Sequence, residues 1–161
     1  MGVTYDFKDI YKTIENVQGN ISAKLIELGN RAVALAVEKG EYENITGNLR
    51  SSIGYVVVKN GKIIDEGGFT KIPGRGANMQ KVSFIARGEL VSFKARGKSG
   101  DGSEGSKQGI EYARKIASQY PKGLVLVVVA GMEYASYVNS RFDVLNTAGS
   151  YIDSQMKKIA L

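Results

Sequence analysis

Near the start of the chain, Phe7, Ile10, Tyr11, Ile14 and Val17 recur three and four residues apart, a spacing that predicts a helix with one apolar stripe. Gly19-Asn20 is expected to break it. Asn20 would cap a second helix carrying Ile21, Leu25, Leu28, Ala32, Leu35 and Ala36 on its buried face, with Gly40 as a left-handed C-terminal cap. Next come Tyr55-Val56-Val57-Val58 and Ile63-Ile64, flanking Asn60-Gly61, the pair that accepts positive φ at both centres of a type I′ turn; this predicts a β-hairpin over Gly54 to Glu66. Alternation over Val82 to Arg87 and Leu90 to Arg96, around Gly88, predicts a second hairpin that projects as an arm. Ser106 to Tyr120 reads as a helix with Ile110, Ala113, Ile116 and Ala117 inward, closed by Pro121. The β-branched run Leu124 to Ala130 predicts a central strand covered on both faces, and Val144, Leu145, Ala148, Ile152, Met156 and Ile159 share one face of a final helix.

These elements predict an α+β fold: a small mixed or antiparallel sheet with a β-hairpin, packed against two N-terminal helices and a C-terminal helix. At 161 residues the chain suits one hydrophobic core, so a single domain spanning 1–161 is expected. Into it is set a glycine-rich segment, 70–107, which with its borders at Gly67 and Gly109 holds ten of the twenty glycines. Loops this long inside compact domains are functional or disordered.

Charge sharpens the picture of that segment. Eight basic residues, Lys71, Arg75, Lys81, Arg87, Lys94, Arg96, Lys98 and Lys107, stand there against three acidic ones, whereas the remainder of a chain of net charge +6 is nearly neutral. Two readings stay open: an interaction surface for DNA or a neighbouring protein, and a solvated loop with no partner.

Candidate chemistry is thin. The chain has no cysteine and no histidine, which removes disulfides, thiolate nucleophiles, Cys/His metal sites and histidine-based triads. Gly100 to Lys107 resembles a phosphate-binding loop in composition, but its end reads Gly105-Ser106-Lys107 rather than Gly-Lys-Ser/Thr. Asp65 and Glu66 are adjacent on a strand and point to opposite faces, so they cannot easily share a site. No catalytic residue, cofactor or metal is therefore expected, and no small-molecule substrate. The amino-terminal residues lack a signal peptide's basic start and apolar run, and no uncharged stretch is long enough for a membrane span; the expectation is a protein kept in a cytoplasm, without a membrane partner.

One stretch carries a resemblance. Thr46-Gly47-Asn48-Leu49-Arg50-Ser51-Ser52-Ile53 resembles the Thr-Gly-x-Leu-Arg-x-Ser-Ile signature of tailed-bacteriophage neck, minor tail or tail-completion proteins, and Tyr134-Ala135-Ser136-Tyr137-Val138 is similar to a second segment of that family. On physical grounds Thr46 would cap a short helical turn, Gly47 would permit a tight reversal, Leu49 and Ile53 would pin the turn to the core, and Arg50 would be free for a neighbour. The resemblance implies a homo-oligomeric ring in the head-to-tail connector, placed between portal or adaptor proteins and the tail tube. The subunit would be found in the virion after assembly in the host cytoplasm. Thr46, Gly47, Leu49, Arg50, Ser52, Ile53, Tyr134 and Tyr137 are the candidate motif or subunit-interface residues. Lys71, Arg75, Lys81, Arg87, Lys94, Arg96 and Lys98 are the candidate contacts to channel DNA or to a partner ring. The alternative reading is a nonspecific nucleic-acid-binding module acting through the basic insertion.

Overall fold

In the computed structural model, residues 8–76, 80–86, 88–95 and 99–159 are described. The fold is α+β. A three-stranded antiparallel sheet of order β2-β1-β5 has helices on both faces, and a separate two-stranded sheet lies between its second and last strands in sequence.

The first helix, α1 (Lys8–Lys39), is one rod of 32 residues, about 48 Å long by its rise, and replaces the two helices expected. Gly19 and Asn20 lie inside it. A single glycine in a helix costs only about 1 kcal/mol, and the helical ladder on either side outweighs that. Gly40 is likewise no left-handed cap; its missing Cβ makes room for the ring of Tyr42, which a Cβ would approach to 2.7 Å.

A four-residue helix, α2 (Asn48–Ser51), leads into β1 (Ile53–Lys59), whose first six residues are all buried. β1 is the central strand. Asn60 and Gly61, at φ 50° and 78°, form the expected turn into β2 (Lys62–Gly68). Asn60 also ties this turn to the far side of the sheet, because its side-chain oxygen accepts the Gly123 amide at 2.9 Å while its own amide donates to Gly123 O at 2.8 Å.

The run Leu124 to Ala130 forms β5 (Leu124–Ala130), but it pairs with β1 alone and is an edge strand, not the centre. Composition could not separate the two. Helices lie over both faces of β5, so this edge strand is as apolar as the central one, unlike β2 on the other edge. Tyr55 and Val57 of β1 pack with Leu25 and Leu28 of α1, while Val56 and Val58 face Ala113 and Ala117 of α3 (Ser103–Ala117), the helix that begins three residues earlier than expected.

The second hairpin forms as β3 (Gln80–Ala86) and β4 (Glu89–Ala95), joined through Gly88 at φ 84°. The chain ends in α4 (Ala135–Asn139) and α5 (Asn146–Ile159), with Val144 and Ala148 buried against Ala32 and Ala36 of α1. None of the described helices is long and apolar enough to cross a membrane.

Candidate assembly surfaces

The residues singled out around Thr46 form a clasp in which backbone touches backbone. Gly47, at φ 81°, turns the chain into α2, and a Cβ there would stand 1.9 Å from the Ile72 carbonyl oxygen. Gly105 on α3 would meet the Asn48 carbonyl at 1.9 Å, and Gly102 would meet Ser51 Oγ at 2.1 Å. Ser51 is fully buried; its hydroxyl accepts the Ile72 amide at 2.8 Å. Glycines that read as flexibility in the sequence are thus contact positions, where any side chain would push two segments apart.

The same contacts shorten the expected 70–107 arm at both ends. Its first residues are laced to the body, with Arg75 N–H donating to Asn44 O at 2.8 Å and Gly76 N–H to Ile45 O at 2.9 Å, and its last belong to α3. Gly74 N–H donates to Gly100 O at 2.8 Å, so the two feet of the hairpin are hydrogen-bonded to each other.

Of the eight motif residues, Gly47, Leu49, Ser52 and Ile53 are interior. Thr46 is exposed and accepts the Asn48 amide with its hydroxyl at 3.4 Å, one position before the helix cap expected of it. Arg50 is not free: its guanidinium donates to Gly40 O at 2.9 Å and lies over the ring of Tyr42, 5.4 Å from the centroid. Neither Tyr42 Oη nor Arg50 Nε has a hydrogen-bond partner among the described residues. Burial pushes the Tyr42 phenol above its ordinary range, with the Arg50 charge opposing the shift. Tyr134 is also raised, by burial, and a hydrogen bond with Thr46 offsets part of that rise. The two resembling segments therefore meet, at Thr46 and Tyr134. Tyr42, which joins this group, carries no sequence signal beyond being aromatic.

Tyr137 is 59% exposed, stacked under the Arg141 guanidinium at 4.7 Å, and Phe142 beside it is 46% exposed. Lys71 and Arg75 are exposed at the foot of the hairpin. Asp101 close by is held below the usual carboxylate range by hydrogen bonds from Ser103, with the Lys71 charge assisting. The register of the hairpin sets Lys81 opposite Lys94. Arg87, Arg96 and Lys98 fall outside the described residues.

Sequence reasoning missed one surface feature beside the sheet. The outer edge of β5 pairs with no strand among the described residues, and a groove of about 790 Å³ runs beside it, walled by Tyr112 and Ile116 of α3, by Tyr120 just beyond that helix and by Met132 and Leu145, with Lys115 and Glu133 also in its lining. The edge carries no charge. Natural proteins usually protect such an edge with lysine, proline or a bulge. Among the described residues, no group of acidic side chains could hold a metal ion. Comparison with protein-family models, with curated proteins and with solved structures gives no match.

Proposed function

We propose that this chain is a structural subunit of a tailed-bacteriophage head-to-tail connector, a neck or tail-completion protein that assembles with its own copies into a ring between the portal-adaptor complex and the tail tube. The observation that carries the reading is the uncharged edge of β5, unpaired by any described strand, beside a groove of mixed apolar and polar lining. Extended backbone that no described strand pairs, flanked by aromatic and aliphatic side chains, is a surface for another polypeptide rather than for a small substrate. The outer edge of β2 likewise pairs with no strand among the described residues, so each subunit offers different surfaces on its two sides. Unlike surfaces make head-to-tail contacts, and such contacts give rings when the rotation closes. The motif resemblance supplies the particular assembly, and with it a location in the virion after assembly in the host cytoplasm. No catalysis, cofactor or membrane contact belongs to this role.

The hairpin favours a polyanion as a further partner. Its strands carry Lys81 and Lys94 in a segment of net positive charge, and DNA in the ring's lumen would supply the opposite charge. A nonspecific nucleic-acid-binding module working through the same hairpin is the second reading. Light scattering at low and moderate salt, with negative-stain imaging, separates the two. Closed rings with a central hole are the expected result. A monomer at every concentration that binds DNA with a steep salt dependence would overturn the connector reading in favour of the module.

A further inference from the structure

The first turns of α1 stand clear of the sheet. Every residue from Ile10 to Asn20 is exposed, and burial begins only at Ile21. Yet this stretch is not polar: Ile10 is 54% exposed, Tyr11 66%, Ile14 48% and Val17 50%. Polar substitutions there would leave the body's own packing intact, so an apolar stripe on an exposed helical rod asks what covers it.

The helix itself cannot bend back to do so. Residues 10–20 are continuous with the part of α1 that packs on the sheet, and folding them back would break the helix in its middle. The spacing describes what fits instead. Ile10, Ile14, Val17 and Ile21 stand four, three and four residues apart, the d and a positions of successive heptads, which is the seam of helices wound together. The e and g positions beside it are Tyr11, Thr13, Gln18 and Asn20, all uncharged, while Lys12 and Glu15 lie away from the seam. Two identical copies can thus approach without like-charge repulsion. Lys24, the next d position, pairs with Glu27 at 2.8 Å and ends the seam.

We infer that residues 10–21 of α1 are a homotypic docking helix, packing in parallel and in register against the same segment of a second copy of this chain. The inference deepens the connector reading and rests on it, because subunits related by rotation about one axis point their α1 rods the same way. About two heptads are too short for a coiled coil of isolated peptides. Here the helix is already built by its attachment to the body, so pairing needs only copies held close by other contacts. The α1 seam then acts as a second contact that tightens a ring formed elsewhere.

The absence of cysteine makes the test direct. Ile14→Cys places a lone thiol in the seam, and Lys12→Cys places one on the outer side of the same turn. Mild oxidation of the assembled protein should link Ile14→Cys into covalent dimers at least about tenfold faster than Lys12→Cys, since only the seam holds two thiols at high effective concentration. The double variant Ile14→Asp with Val17→Asp should keep the thermal midpoint of the wild type and lose mass by light scattering. Equal or absent cross-linking in a protein that light scattering shows to be oligomeric overturns the docking helix and leaves the ring standing. Absent cross-linking in a protein that remains monomeric overturns both. Selective cross-linking without rings supports the docking helix and removes the connector.

Discussion

Tyr55 lies with its ring against the bare backbone of Gly29 and Gly67, where a Cβ would stand 2.5 Å away, and donates its hydroxyl to Asp65 at 2.7 Å. Burial first, and then the carboxylate it serves, push its phenol up to about 12. An unfolded tyrosine loses its proton near pH 10, so between about pH 10 and 12 the unfolded state binds fewer protons and stability falls as pH rises. Below that window the contribution is fully present. The loss is at most about 3 kcal/mol, and Tyr42 and Tyr134, raised in the same direction, add to the slope. Urea midpoints at pH 9 and pH 11.5 should therefore differ less for Tyr55→Phe than for the wild type. At this scale the sequence was only partly legible. Leu49 and Ile53 are core residues as their apolar character implies, but Arg50 is held by a carbonyl and a ring that no local pattern announces.

Among the elements, the Asn60-Gly61 hairpin and the inward face of α3 were readable because turn chemistry and periodicity act locally. The continuity of α1 was not, since a Gly-Asn pair is also the usual stop signal and only the surrounding ladder decides between them. Nor was the edge position of β5, which depends on the order of strands rather than on their composition. The β3-β4 hairpin was placed correctly, but its base was drawn too wide because glycines serving close packing look like glycines serving flexibility. With Gly74 hydrogen-bonded to Gly100, the hairpin leaves the body through a closed neck. Replacing residues 77–98 by a short glycine-serine linker should accordingly change the thermal midpoint by no more than a few degrees, a shift corresponding to under about 1 kcal/mol for a domain of this size. A collapse of the midpoint would show that the hairpin is part of the folding unit.

For the whole molecule, charge and shape point to a division of labour between a nearly neutral body and a basic hairpin. On the connector reading, Lys94→Gln with Arg96→Gln and Lys98→Gln should spare folding and ring formation but reduce DNA retention in assembled particles. In a direct titration the slope of log affinity against log salt should become shallower by about 2 to 3. Unchanged retention would turn the hairpin toward a neighbouring ring instead. The sequence showed where the charge lies; it did not show that neither sheet edge is paired among the described residues, because openness is a property of what fails to pair.

The bare rim of β5 also bears on how a neighbour would be chosen. Main-chain amides and carbonyls are the same in every polypeptide, so a ladder added to β5 would hold any extended segment with similar strength and carry no information about its identity. Discrimination falls to the walls, where Tyr112 and Tyr120 on one side and Met132 and Leu145 on the other meet whatever side chains the incoming strand presents. Grip and choice thus reside in different atoms of the same groove, and a few wall substitutions could redirect the subunit to a new neighbour while leaving its hold unchanged.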